Sequence, residues 1–559
     1  MGNAHWLGRK SRCIEQRVVV EGELVLQTPA QFGNGDSDNF TDMPLLVDAA
    51  DGLSPLLTGA TLAGALRAYL WSREQGDRQP DPKPRMKPIT AEEKSLTEVL
   101  FGGFKQHDDG EQSALIVDDA RSKTYSVQFR DGVRLDPQTR TAYVERFEED
   151  DGQIREKGHL FDMQVWSAGT SFPIRLELLL SAPKRDKDEA DDVYEQRKTE
   201  QFTKMKKALL MALQGLSDGG ITLGGRKNRG YGRITVNNWR VKTYDLISKT
   251  GLMNWLETGN NPLQTDPVAN LTQTGTFKQF ENEDLTDRRE YFRMEATFKL
   301  DGSLLIRANG LPGSNSPDMV HLSDHEGKPV LSGTSVAGAL RQRARRIVNL
   351  VNPNQSSQWL DELFGNEKME NQISNGELKN QYKASRLIVE ETEITEPQFD
   401  LVQNRVAIDR FTGGALDTAL FNEQPVFGKP ETRLKINLRL IKPVTPYKPD
   451  PQKSDAENKA DFEKQQEQNE KTFQSQIGML LLLLKDLWTG DLPLGGEVSV
   501  GRGRLAGDTA VLTYKQTGKT EEWRLIEGEN KQITVETEGV TPLQSFVDAL
   551  HGKEVAHGS

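Results

Sequence analysis

Five short motifs occur twice in this chain, in one order. Gly59-Ala-Thr-Leu-Ala-Gly-Ala-Leu-Arg67 returns as Gly333-Thr-Ser-Val-Ala-Gly-Ala-Leu-Arg341, at an offset of 274. Leu100-Phe-Gly102 returns as Leu363-Phe-Gly365, Val133-x-Leu-Asp136-x-x-Thr139-x-x-Ala142 as Val406-x-Ile-Asp409-x-x-Thr412-x-x-Ala415, and Leu160-Phe161-x-x-Gln164 as Leu420-Phe421-x-x-Gln424. Near each copy's end, Leu223-Gly-Gly-Arg-Lys-Asn-Arg-Gly-Tyr-Gly-Arg233 is matched by Leu494-Gly-Gly-Glu-Val-Ser-Val-Gly-Arg-Gly-Arg504. The offsets stay between 260 and 274. Two homologous units, each with its own core, are the economical reading.

Each copy opens with an alternating, β-branched run suited to a half-buried strand, Arg17 to Leu26 and Tyr291 to Leu300. A loop rich in Gly, Asn, Ser and Asp leads to the helix begun at Gly59 or Gly333, whose Thr/Ser start suits an N-cap. Strands at Ser171 to Leu180 and Thr432 to Leu440 follow, then helices around Phe202 to Leu216 and Phe473 to Trp488, then the glycine-rich loop and a closing strand. That order predicts an α+β fold: two tandem ferredoxin-like domains with insertions, the order also used by RRM-like RNA-binding sheets. The expected boundaries are 1–244 and 288–508 for the units, 245–287 for a polar linker, and 509–559 for a C-terminal extension. Within that extension, Ala510 to Tyr514 reads as a strand and Leu543 to Leu550 as a helix, neither with an evident counterpart in the first copy.

Composition removes several classes. A single cysteine, Cys13, among 559 residues excludes an internal disulfide or a cysteine-based zinc cluster and fits a reducing cytoplasm. Met479 to Leu484 is the most apolar run, far short of the roughly 20 residues needed to span a bilayer, and reads as a buried helix. No apolar segment follows the basic N-terminus, so no secretory signal is expected. The net charge of −12 argues against coating nucleic acid over the whole surface, but leaves room for a local basic groove.

Taken together, the glycine-led G-A-L-R helix, the Leu-Phe-Gly, the [IL]-D-x-x-T-x-x-A segment and the terminal G-G-x-x-x-x-G-x-G-R resemble the RAMP superfamily. The likeness is strongest to backbone subunits of type III CRISPR effector complexes, and the tandem arrangement resembles the double-unit subunit of type III-D systems. It spans roughly residues 16–240 and 289–508. The resemblance implies a subunit that binds guide RNA, lets target RNA pair along it, and sits among other subunits of the complex. It also implies cleavage of the paired target by an endonuclease that needs a divalent cation such as Mg²⁺, through an aspartate in the loop between the first strand and the glycine-led helix. Sequence discrimination would then come from base pairing.

In that loop both copies fit D-M-x-x-L-x-D, and the resemblance implies that Asp42 and Asp318 are the catalytic and metal-holding residues. Asp36 and Asp38 are rivals in the longer first loop, while Asp48 and Asp324 read as loop braces. The expected RNA-phosphate ligands are Arg226, Lys227, Arg229 and Arg233 on the first glycine loop, Arg502 and Arg504 on the second, and Arg67 and Arg341 on the helices. The second loop replaces the basic run by Glu497, Val498, Ser499 and Val500, which points to a more structural part there. Free N–H groups at Gly59 and Gly333 would add a phosphate seat. His321 and His325 read as ordinary loop histidines, because Leu45 and Ala49 stand at the matching places. Two alternatives remain: the same scaffold without catalysis, and an autonomous guide-processing endonuclease, for which no histidine repeats between the copies.

Overall fold

The computed structural model describes residues 14–35, 43–77, 93–103, 112–133, 135–136, 139, 141–148, 154–158, 160–183, 185, 188–283, 285–309, 317–351, 356–366, 373–374, 377–378, 384–444, 450, 452–537 and 539–552. Asp36, Asp38 and Asp42 lie outside them.

In the first half, β1 (Ile14–Leu26) leads through the acidic loop to α1 (Gly59–Gln75) and α2 (Leu96–Phe101). Next come β2 (Leu115–Val117), a projecting pair β3 (Val127–Val133) and β4 (Leu160–Trp166), then β5 (Ser171–Ser181), α3 (Asp191–Ser217) and β6 (Ile234–Asp245). The antiparallel sheet runs β6-β1-β5-β2. This is the ferredoxin-like order, and it follows from the alternation seen in β1: Val18, Val20, Leu24 and Leu26 turn inward onto Leu62, Leu66, Leu209 and Leu213 of α1 and α3.

The second half repeats the plan. After α4 (Lys249–Thr258) come β7 (Tyr291–Asp301), β8 (Arg307–Asn309), β9 (Met319–His321), α5 (Gly333–Val351), α6 (Ser356–Phe364) and β10 (Leu387–Val389). The projecting pair is β11 (Gln403–Ile408) and β12 (Ala415–Gln424), followed by β13 (Arg433–Ile441), α7 (Asp455–Trp488) and β14 (Arg504–Gln516). The sheet order is β10-β13-β7-β14, extended by β15 (Lys519–Glu527) and β16 (Ile533–Thr537). Met479, Leu480, Leu483 and Leu484 are buried on α7, as the apolar run predicts. No helix of the described residues is long and apolar enough to cross a membrane.

Two expected boundaries move. Residue 508 falls inside β14, whose counterpart is β6, so Ala510 to Tyr514 does have a partner in the first copy. Beyond it, Trp523 of β15 and Phe546 of α8 (Leu543–Leu550) join the second core, so residues 509–552 complete that domain. The supposed linker also belongs to a domain. Leu271, Phe277 and Phe280 enter the first core, while Trp255 packs edge-on against Tyr244 at 5.1 Å and under Arg17 at 4.5 Å. Its polar average concealed a handful of anchoring apolar residues.

Candidate nucleic-acid interface

Each repeated motif has a visible local cause. Arg67 donates to the carbonyl of Gly102 at 3.1 Å, and Arg341 to that of Gly365 at 3.0 Å while pairing with Asp361 at 3.1 Å. The arginine thus ties the glycine-led helix to the end of the Leu-Phe-Gly helix in both copies, satisfying a terminal carbonyl. The D-x-x-T segment caps the tip of the projecting hairpin. Asp409 accepts from the N–H of Phe411 and from the Thr412 hydroxyl, both at 3.0 Å, and these bonds hold its carboxyl below the usual range. Asp136 accepts from the N–H of Thr139 at 2.8 Å in the same way. The first copy inserts a short hairpin, Val144–Glu148 with Ile154–Gly158, after this tip, which accounts for the fall in offset.

The hairpins leave apolar side chains in water. Phe411 is 90% exposed, Leu420 72% and Ile408 65%; on the first hairpin Phe129 is 61% exposed. Such a surface suits contact with bases or with a neighbouring chain better than with solvent.

The aspartate loop pairs with the hairpin base. In the second half β9 runs parallel to β12, Met319 opposite Glu423. Asp318 is exposed just before β9; its carboxylate accepts the N–H of Asn422 at 3.0 Å, and its own N–H donates to the Asn422 side chain at 2.6 Å. In the first half Met43 bridges Met163 in the same parallel register. Sequence reasoning missed Asn422, which stands at a variable position of the Leu-Phe-x-x-Gln motif. Asp48 and Asp324 do brace the loop: Asp48 accepts from Ala50 N–H and pairs with Arg121, and Asp324 accepts from the N–H groups of Glu326 and Lys328.

A cleft of about 510 Å³ brings three motif regions of the first half together. Met43 and Pro44 of the aspartate loop, Thr58 and Thr61 at the start of α1, and Gly224 and Gly225 of the glycine loop line it. The free N–H group expected at Gly59 is taken up within the protein. Gly59 N–H donates to Asp119 at 2.7 Å, Thr61 N–H to Thr58 and Thr334 N–H to Ser332, while Gly333 is pressed against the carbonyls of Arg229 and Val389.

The glycine loops have one backbone in both copies. Arg226 and Glu497 are left-handed at φ 54° and 57°, and Gly232 and Gly503 lie so close to the carbonyls of Leu223 and Leu494 that a Cβ would sit 1.8 Å away. The glycines therefore serve contacts within the protein. So do most of the cations. Arg226 stacks on Phe161 at 4.2 Å; Arg229 donates to the carbonyls of Phe364 at 3.2 Å and Leu387 at 3.5 Å, burial lowering it to about 10; Arg233 pairs with Glu390 at 2.7 Å. Arg502 is buried between Glu423 and Glu497, at 3.0 and 2.9 Å. Arg405 joins both carboxylates and Arg307 joins Glu497. Burial raises Glu423, while Glu497, hydrogen-bonded to it and ringed by arginines, is lowered. Arg67, Arg229, Arg341 and Arg502, expected as phosphate ligands, thus all make bonds within the protein. Lys227 and Arg504 are exposed.

His321 is fully buried, in the place Leu45 holds in the first half. Ile306 N–H donates to Nδ1 at 3.1 Å and Nε2 donates to the Val330 carbonyl at 3.0 Å, which leaves no proton acceptor for catalysis. Burial depresses it from 6.5 to about 4. A base lowered on folding contributes stability present above 6.5 and lost as pH falls towards 4, about 2 kcal/mol by pH 5. Urea midpoints between pH 7 and 5 are expected to fall accordingly, and His321→Leu to flatten that slope.

A model of the RAMP superfamily matches residues 23–235 and 297–506. The chain belongs to the RAMP superfamily. Both matched regions coincide with the two ferredoxin-like units, so it is a tandem RAMP protein. Comparison with the curated proteins finds no match. Among the described residues of this RAMP protein, no group of three or more His, Cys, Asp or Glu side chains is placed to hold a metal ion.

Proposed function

We propose that this protein is a guide-RNA-binding backbone subunit of a type III CRISPR effector complex, in the double-unit form of type III-D systems, and that it cuts the paired target RNA through Asp42 and Asp318. RAMP membership of both halves supports RNA binding within a multi-subunit complex. The observation that carries the reading is the first-half cleft, where the aspartate loop, the helix start and the glycine loop meet beside a hairpin with exposed apolar side chains.

One carboxylate per site fits Mg²⁺, which takes one or two protein carboxylates and completes its shell with water and phosphate oxygens. Asp318 is exposed and held in place by Asn422, as such a ligand requires. The bound cation would neutralise charge developing on the scissile phosphate. The RNA 2′-hydroxyl attacks the adjacent phosphorus and loses its proton, the bond to the 5′-oxygen breaks, and that oxygen takes up a proton, giving a 2′,3′-cyclic phosphate and a 5′-hydroxyl end. Asp318 and Asp42, one in each site, would hold the cation beside the scissile phosphate for this in-line displacement.

The bond between Asp318 and the Asn422 backbone also favours a second reading, a purely structural backbone in which Asp318 only ties the loop to the hairpin. The assembled complex with labelled complementary RNA separates them. Regularly spaced, chelator-sensitive cuts support the enzyme; tight target binding with no cut facing this chain in Mg²⁺ supports the scaffold. A chain that, alone and in chelator, cleaves a guide precursor would overturn both.

A further inference from the structure

The two halves join through a head-to-tail contact whose mating faces recur, one intact and one altered, at the outer ends of the chain. The donor face is the first glycine loop. Asn228 donates to the Ser385 carbonyl at 2.8 Å, Arg229 reaches the Phe364 and Leu387 carbonyls, and Arg233 pairs with Glu390. Gly230 approaches the second half so closely that a Cβ would lie 2.2 Å from Glu391 N. Arg130 of β3 adds a buried pair with Glu391 at 3.1 Å. The acceptor face is the corner between the end of β10, the start of α5 and the end of α6.

The first half builds the same corner from the end of β2, the start of α1 and the end of α2. Ser113 bonds the carbonyls of Leu100 and Leu115 as Ser385 bonds those of Leu363 and Leu387. The acidic pair is kept as Asp118 and Asp119 in place of Glu390 and Glu391. Here, however, Asp118 and Asp119 are exposed where Glu391 is buried, and among the described residues their contacts lie within their own half: Asp119 accepts the Gly59 N–H at 2.7 Å and Asp118 lies 3.9 Å from Arg175.

The second glycine loop keeps the donor's backbone, with Gly501 at φ 89° against 90° for Gly230, and has lost most of its anchors. Val500, 61% exposed, stands for Arg229, Ser499 for Asn228 and Gln403 for Arg130, leaving Arg504 for Arg233. A Cβ at Gly501 would meet nothing within 4 Å.

We propose that the acidic corner of the first half, at Asp118, Asp119 and the end of α2, receives the basic glycine loop of a different chain carrying this same unit, and that copies of this chain do not join there because their own outer loop lacks the arginine anchor. A head-to-tail contact that repeats without closing would otherwise grow into a filament. The inference rests on the repeat and the junction, not on the RNA reading, and needs no nucleic acid to test.

Sedimentation of the full chain without RNA tests it. The wild type is expected to stay monomeric at tens of micromolar. Restoring the anchors with Ser499→Asn and Val500→Arg is expected to give concentration-dependent oligomers, at least tenfold tighter in self-association than wild type. Adding Asp118→Lys to that variant is expected to return it to monomer. Circular dichroism checks that each variant keeps the wild-type fold. A folded graft variant that remains monomeric overturns the proposal, as does wild-type self-association that Asp118→Lys abolishes, or graft oligomers indifferent to Asp118→Lys.

Discussion

Arg502→Ala is expected to destabilise the second half by about 3 kcal/mol, because removing one partner from a buried ion network leaves the others uncompensated. Arg502 lies between Glu423 and Glu497, two carboxylates that share a hydrogen bond beneath the second glycine loop. Without it, Arg405 and Arg307 at the margin must balance both. The pH dependence has a definite sign. Glu423 is raised above its ordinary value on folding, so its protonated form is the one the fold favours, and loss of Arg502 raises it further. The deficit of the variant relative to wild type should therefore shrink as pH falls from 7 to 5. Glu423→Gln, which imitates the protonated acid, should cost much less. Urea midpoints of the three proteins at both pH values measure this; a phosphate ligand with no structural part would leave them unchanged.

Replacing Asp42 and Asp318 together by alanine is expected to reduce target cleavage facing this chain by at least about a hundredfold, the scale on which removal of a group stabilising developing charge acts. Target binding should be unchanged, because base pairing and contacts elsewhere hold the RNA. Asn422→Ala should weaken cleavage less than Asp318→Ala, since the carboxylate keeps its bond from the Asn422 backbone N–H and only the backbone N–H of Asp318 loses its side-chain acceptor. Quantitative gels at saturating target separate these outcomes. Equal cutting by the double variant and wild type would leave the structural backbone as the surviving reading.

How far the sequence discloses this molecule depends on the range of each interaction. The alternation Val18, Val20, Leu24, Leu26 and its echo in Phe292, Met294, Ala296, Phe298 announce the two sheets, because strand burial has a period of two. The D-x-x-T tips and the bracing roles of Asp48 and Asp324 are equally legible, being bonds within a few residues. Charge partners are not. Arg229 and Arg502 look like phosphate ligands in a glycine-rich loop, yet Arg229 bonds the carbonyl of Phe364 and Arg502 pairs with Glu423, both many residues away in sequence, and carbonyls leave no trace in composition. The connector and the tail misled for a related reason: a few residues such as Phe277, Trp255, Trp523 and Phe546 decide packing while the polar majority sets the average.

Where RNA runs over the two halves decides whether this chain works as a guide-RNA backbone. Guide RNA substituted with thiouridine, cross-linked in the assembled complex and mapped by mass spectrometry, reads this directly. Cross-links are expected on the segment from Met43 to Thr61 that lines the first cleft, and on its counterpart beside Asp318 together with the hairpin from Gln403 to Gln424. Cross-links confined to residues 249–283 or 519–552, with none in either of those regions, would contradict it.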